Sequence, residues 1–191
     1  MLKKYGHFFP IVVMFPIFIY IMYVNLIEVS KQVTITKENK SPSFYFTSVE
    51  ITPEIRALAN KLKTVQACLD YVTNIPYKIH NYHARKPIDT ITRNYGDCDD
   101  KSNLLSSLLS SLGYQNYIVL VPKHAFVIVD LKEELPHKKA LRFNEKIFYV
   151  LESTAKDSEV GFELQYTREE IEAVIDPLAK AVVQTGRINY Y

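Results

Sequence analysis

Residues 96–130 read GDCDDKSNLLSSLLSSLGYQNYIVLVPKHAFVIVD, and the period of the chain changes inside this stretch. From about Cys98 to Leu112, the apolar residues Leu104, Leu105, Leu108, Leu109 and Leu112 recur at three- and four-residue intervals, which places them on one face of a helix. Gly113 is well placed to stop that helix, because glycine enters the left-handed conformation of a C-terminal cap without strain. Beyond it, YIVLV (117–121) and HAFVIVD (124–130) are β-branched and aromatic runs of strand length. Only Pro122 and Lys123 separate them, so a tight antiparallel connection is expected. KIFYVLE (146–152) is a third run of the same kind.

Working outward, Pro53 opens a helical pattern in which Ile55, Leu58, Leu62, Val65, Leu69 and Val72 share a face. Proline suits a first helical turn, where its missing N–H would have had no partner. Pro76 ends that element, and a loop containing Pro87 follows. Residues 131–145, LKEELPHKKALRFNE, read as a charged loop. Thr167 with Glu170 has the spacing of a capping box for a last helix, which Pro177 would kink or end. Helices followed by an antiparallel sheet predict an α+β domain over 53–191.

Cys98 falls where loop becomes helix. A thiol there feels the positive end of the helix dipole, which favours the nucleophilic thiolate. Free backbone N–H groups at the same place could stabilise an oxyanion. Asp97, Asp99 and Asp100 oppose the thiolate unless they cap the helix with their charge directed away from sulfur. His124 opens the second strand and Glu152 ends the third. A sheet packed on the Cys98 helix could bring the three together as nucleophile, base and orienting group. Each also has a plainer reading, as a structural cysteine, a core histidine and a solvated carboxylate.

YGDCDDKSNLLSSLLSSLGY, LVPKHAFVIVD and FYVLESTA, in that order, resemble the core of the transglutaminase-like superfamily, and PIDTITRNYGDC resembles its lead-in. The resemblance covers roughly residues 53–165. It implies a papain-like or transglutaminase-like core in which the nucleophile helix packs on an antiparallel sheet. It also implies that Cys98 is the nucleophile, His124 the general base and Glu152 the orienting acid of a cysteine peptidase, amidase or transglutaminase. Two departures stand out: Glu152 occupies a position where Asp followed by Pro is usual, and the chain contains no Trp to serve as an upstream oxyanion donor. Tyr77, Asn81 and Tyr82 are candidates for that donor by their place before the Cys98 helix. The alternative is a non-catalytic module that keeps the fold for binding or assembly.

Other features carry less chemistry. His80 and His83 form an H-x-x-H pair, but a metal site needs three or four ligands. Cys68 lies beside Val65 and Leu69 and reads as a small buried apolar residue, although a Cys68–Cys98 disulfide is conceivable. His137 reads as surface. No cofactor is expected, because thiol chemistry needs none.

The chain of 191 residues carries 23 basic and 21 acidic side chains, a formal net charge of +2. Lys3 and Lys4 account for the surplus, so the rest is electrically even and has no basic stripe for nucleic acid. Residues 8–27, FFPIVVMFPIFIYIMYVNLI, contain no charged side chain. As a helix they would span about 30 Å, the thickness of a bilayer core. With no small-residue cleavage site following, they read as an uncleaved membrane anchor. Lys3 and Lys4 then predict a cytoplasmic stub over 1–7 and an extracytoplasmic domain, giving a single-pass membrane protein. Residues 28–52 read as a linker. Expected partners are the membrane and a protein or peptide substrate, and no nucleic acid.

Overall fold

A computed structural model describes residues 45, 48–80, 83–186 and 188–191. Among the described residues, four helices precede the strands: α1 Pro53–Leu62, α2 Val65–Thr73, α3 Pro87–Arg93 and α4 Cys98–Ser111. Strands follow as β1 Asn116–Val121, β2 His124–Val129, β3 Ala140–Phe143, β4 Lys146–Leu151, β5 Ala173–Asp176, β6 Ala181–Val182 and β7 Asn189–Tyr190. They form one sheet in the order β6-β5-β1-β2-β4-β3-β7, antiparallel at every named pairing. The architecture is a mixed α+β core, an antiparallel sheet packed by helices.

The single helix expected from Pro53 toward Pro76 is two. Lys63 adopts φ 69° and ends α1, and the Thr64 side chain then caps α2 by accepting from the Ala67 N–H at 3.1 Å. The apolar face continues across this break, so periodicity alone hides it. The charged stretch before β4 contains β3, which joins β4 through Asn144 (φ 49°) and Glu145 (φ 63°). Two consecutive left-handed residues give the turn that matches the twist of paired strands. Thr167 and Glu170 do form a capping box, but it opens only a short 3-10 turn, Arg168–Glu170, before β-branched residues enter β5.

Side chains alternate across the sheet, and both faces are covered. Ile118, Leu120, Ala125, Val127, Val129, Tyr149 and Leu151 belong to the core shared with the helices. Tyr117, Val119, Val121, Phe126, Ile128, Phe148 and Val150 form a second core, against which Leu164, Tyr166, Ile171 and Ile188 pack. Burial on both sides explains why YIVLV shows no polar alternation. Tyr45 and Val49, within the stretch read as a linker, are buried in the helical core.

The anchored architecture is corrected. Among the described residues no helix is long and apolar enough to cross a membrane. The longest, α4, has 14 residues and spans about 21 Å at 1.5 Å per residue. Residues 8–27, on which the anchor expectation rested, lie outside the described residues. An uncharged run meets the length and hydropathy criteria for a span without showing what it packs against. The transmembrane helix, the membrane as partner and the single-pass localisation are therefore not carried forward.

Candidate active site

The turn into α4 is pinned on its upstream side. Gly96 N–H donates to the Pro76 carbonyl at 3.1 Å, and Lys78 N–H donates to the Gly96 carbonyl at 3.0 Å. Glycine is required there, because a Cβ at residue 96 would lie 2.8 Å from Asp100 Cβ. Asp97 then caps the helix, its Oδ1 accepting from the N–H groups of Asp99 (3.2 Å) and Asp100 (3.3 Å). Cys98 is the first residue of α4 and is buried. The cap takes the N–H groups of residues 99 and 100 and leaves that of Cys98 out.

Each of the three aspartates has its own partner. Asp100 is fully buried, with Oδ2 2.7 Å from His80 Nε2 and Oδ1 accepting from the Arg85 N–H at 2.8 Å. The Arg85 guanidinium lies 3.5 Å from the same carboxylate. Asp99 Oδ1 accepts from the Tyr45 hydroxyl at 2.5 Å and from the Cys98 thiol at 3.6 Å. Asp97 is engaged by the cap and lies 3.5 Å from His80.

β2 and β4 are antiparallel neighbours, so the start of one and the end of the other lie at the same end of the sheet. His124 opens β2, and its Nε2 is 2.7 Å from Glu152 Oε2, just beyond β4. The longer glutamate side chain therefore spans the gap. Glu152 Oε1 accepts from the Thr154 N–H at 2.7 Å and from the Thr154 hydroxyl at 2.5 Å. Burial pulls the imidazole toward neutrality, but its interactions with Cys98 and the Glu152 carboxylate outweigh it and push the His124 pKa up to about 9. Burial also raises Glu152, and its bonds to His124 and Thr154 reverse that, leaving the carboxyl below its usual range. With Nε2 occupied by Glu152, Nδ1 is the ring nitrogen left for the thiol. The Tyr166 ring stacks near the imidazole, centroids 6.0 Å apart and planes 16° from parallel.

The structure thus brings Cys98, His124 and Glu152 into one neighbourhood. Burial raises the Tyr77 phenol, and the charges of Cys98, Asp97 and Glu152 act on it in the same direction. Asn81 and Tyr82, the other oxyanion candidates, lie outside the described residues. Sequence reasoning missed Tyr45, Tyr166 and Lys101, none of which has a local signal linking it to the cysteine.

For metals, the potential ligand atoms of His80, Asp97 and Asp100 lie within 4.8 Å of one another, as do those of Asp97, Cys98 and Asp99. His83 is in neither group. The Arg85 guanidinium beside Asp100 already supplies the positive charge a cation would bring. Cys68 and Cys98 are both free thiols, so the conceivable disulfide is absent. A cavity of about 730 Å³ lined by Gln66, Asp70, Thr73 and Ser158, among others, includes none of the three site residues. Nothing at the described site selects a protein or peptide, and that substrate expectation is withdrawn with the membrane partner.

No protein-family model matches the sequence, and no curated protein matches it. Among solved structures, the chain is similar to a proposed cysteine protease from Cytophaga hutchinsonii, at 17% identity and a TM-score of 0.43. The likeness covers 63% of this chain, which spans 44% of the length of that protein.

Proposed function

We propose that this domain is a thiol enzyme in which Cys98 attacks an acyl carbon, with His124 as acid–base and Glu152 as its orienting partner. The observation that carries this reading is the His124 imidazole, held at 2.7 Å by the buried Glu152 carboxylate at a site shared with a cysteine at a helix N-terminus, where Glu152 and Cys98 together favour its charged form. An imidazolium beside sulfur favours the thiolate, and the helix dipole acts in the same direction.

The sulfur forms a bond to the acyl carbon, and the carbonyl electron pair moves onto oxygen. The Cys98 N–H, which the Asp97 cap does not use, is placed to donate to that oxyanion. His124 gives its proton to the leaving amine as the C–N bond breaks and a thioester forms. Water or a second amine then attacks the thioester, its proton passes to His124, and the thiolate leaves. Hydrolysis and acyl transfer share these steps and differ only in the acceptor.

The test compares the two cysteines. Burial pushes the Cys68 thiol up to about 11, which makes it a slow internal reference. Iodoacetamide at neutral pH is expected to label Cys98 first, and His124→Ala should slow that labelling about a hundredfold. p-Nitrophenyl acetate should give a stoichiometric burst of nitrophenolate with the acetyl group located on Cys98 by mass spectrometry. Equal slow labelling of both cysteines, unchanged in the His124 variant, would show a fold without thiol catalysis.

A further inference from the structure

Glu152 has one more side-chain torsion than an aspartate, and the last torsion of a glutamate is broad and roughly two-fold. Left to itself, the carboxylate would present either oxygen to His124 over a range of angles. The fold holds it at both ends. The Glu152 carbonyl accepts from the buried Ser158 hydroxyl at 2.7 Å. Ser158 is in turn tied to α2: its carbonyl accepts from Gln66 Nε2 at 3.0 Å, and the Val160 N–H donates to Gln66 Oε1 at 3.0 Å. At the other end, Oε1 accepts from both the N–H (2.7 Å) and the hydroxyl (2.5 Å) of Thr154. Oε2 is therefore the oxygen that meets His124 Nε2 at 2.7 Å.

The hydroxyl is the informative half of that pair of donors. Any residue except proline would supply the N–H, so the backbone bond after β4 does not call for a threonine. Nor is a nearby hydroxyl sufficient. Ser153, its neighbour in the same turn, is fully buried, and its Oγ has no partner among the described residues. A hydroxyl donating to an ionised carboxylate makes a charge-assisted bond, shorter and stronger than a neutral one. The other titratable groups around the pair are Cys98 and Lys101 from α4, Tyr77 from the segment before α3 and Tyr166 from the segment before β5. Among the described residues, only His124 and Thr154 are hydrogen-bonded to the Glu152 side chain.

We propose that Thr154 is a positioning residue for the Cys98 site: its hydroxyl locks Glu152 Oε1, so that Oε2 stays on His124 and the imidazole keeps its orientation toward the sulfur. This rests on the thiol-enzyme reading above. Thr154 acts through Glu152 and is not itself a group of the reaction. Without the lock the carboxylate turns among its rotamers, burial draws the imidazole toward neutrality, and the thiolate loses its counter-charge.

The experiment measures iodoacetamide alkylation of Cys98 against pH in the wild type, Thr154→Val and Thr154→Ser, each checked for folding by urea unfolding. Valine keeps the β-branch and the N–H and removes the hydroxyl. It is expected to move the acid limb upward by about one pH unit, about tenfold slower alkylation on the limb. Thr154→Ser should keep the wild-type limb. A hydroxyl that only steadied the turn would lower the stability of Thr154→Val and leave the limb in place. That result overturns the proposal, as does Thr154→Ser shifting as far as Thr154→Val. A second measurement does not depend on the thiol. Proton NMR should show a downfield imidazole N–H resonance for the proton between His124 Nε2 and Glu152, lost in His124→Ala and broadened by solvent exchange in Thr154→Val. An equally sharp resonance in Thr154→Val overturns the lock. Wild-type Cys98 reacting no faster than Cys68 would instead overturn the thiol-enzyme reading, and the imidazole resonance would still decide whether Thr154 holds the Glu152–His124 pair.

Discussion

At the scale of single residues, the difficulty posed by GDCDD is three carboxylates beside one thiol. The fold answers it by engaging each one separately. Asp97 caps α4, Asp100 binds His80 and Arg85, and Asp99 receives the Tyr45 hydroxyl. Asp99 matters most, because its Oδ1 also accepts the Cys98 thiol proton. Tyr45→Phe removes a hydrogen bond to a buried charged group, worth about 1.5–3 kcal/mol. The variant is therefore expected to lose roughly that much stability in urea unfolding. It should also alkylate more slowly at Cys98 near neutral pH, since the Asp99 charge beside sulfur is then less compensated. Unchanged alkylation in a destabilised variant would limit Tyr45 to packing. The cysteine, histidine and glutamate were legible as a chain-order pattern of chemical types. Tyr45 was not, because it reaches Asp99 from 54 residues away and belongs to no local motif.

At the scale of elements, α4 explains both what the sequence reveals and what it hides. Its leucine face predicts a helix packed on one side, yet Lys101, Ser102, Asn103, Ser106 and Ser107 on its other faces are buried as well. The helix is enclosed by the sheet and by α1, α2 and α3. Its polar residues look like a solvent face in sequence, whereas Ser102 bonds the Ala125 carbonyl and Ser106 bonds Asn116. The break between α1 and α2 was hidden for a related reason: Lys63 and Thr64 interrupt the backbone without interrupting the apolar stripe. The turn before α4 tests how tightly the element is seated. Gly96→Ala would set a Cβ 2.8 Å from Asp100 Cβ, with Thr90 Cγ2 at 3.2 Å on another side. Overpacking of this kind costs about 1–3 kcal/mol. Because the shift moves Asp100 and the Asp97 cap, the variant should also lose Cys98 reactivity relative to Cys68. Wild-type stability and labelling in Gly96→Ala would mean the turn is looser than this contact implies.

At the scale of the whole molecule, the hairpin and the third strand were readable because a sheet buried on both faces leaves uninterrupted β-branched runs. β3, β5, β6 and β7 are short, lie toward the edges and carry mixed polarity, so their pairing depends on neighbours and not on pattern. The buried titratable groups together set how global stability responds to pH. His124 is raised to about 9, so its contribution is complete below its ordinary value of 6.5 and is lost as pH rises toward 9. Lys101 is lowered to about 8, so the unfolded chain binds the extra proton between 8 and 10.5, and stability gains there as pH rises. Cys68, raised to about 11 from 9, acts in the opposite direction above pH 9. The expected profile falls by about 1 kcal/mol between pH 6.5 and 8. It is then nearly flat to about pH 10, as first His124 and then Cys68 offset Lys101. In Lys101→Met the offset is gone, and the decline should continue, by about another 2 kcal/mol between pH 8 and 9.5. Urea unfolding of both proteins at pH 6.5, 8 and 9.5 measures this directly. Parallel profiles would mean that the buried lysine does not change its proton on folding. A wild-type profile that is flat from 6.5 to 8 would mean that the imidazole is not held charged by Glu152 and Cys98.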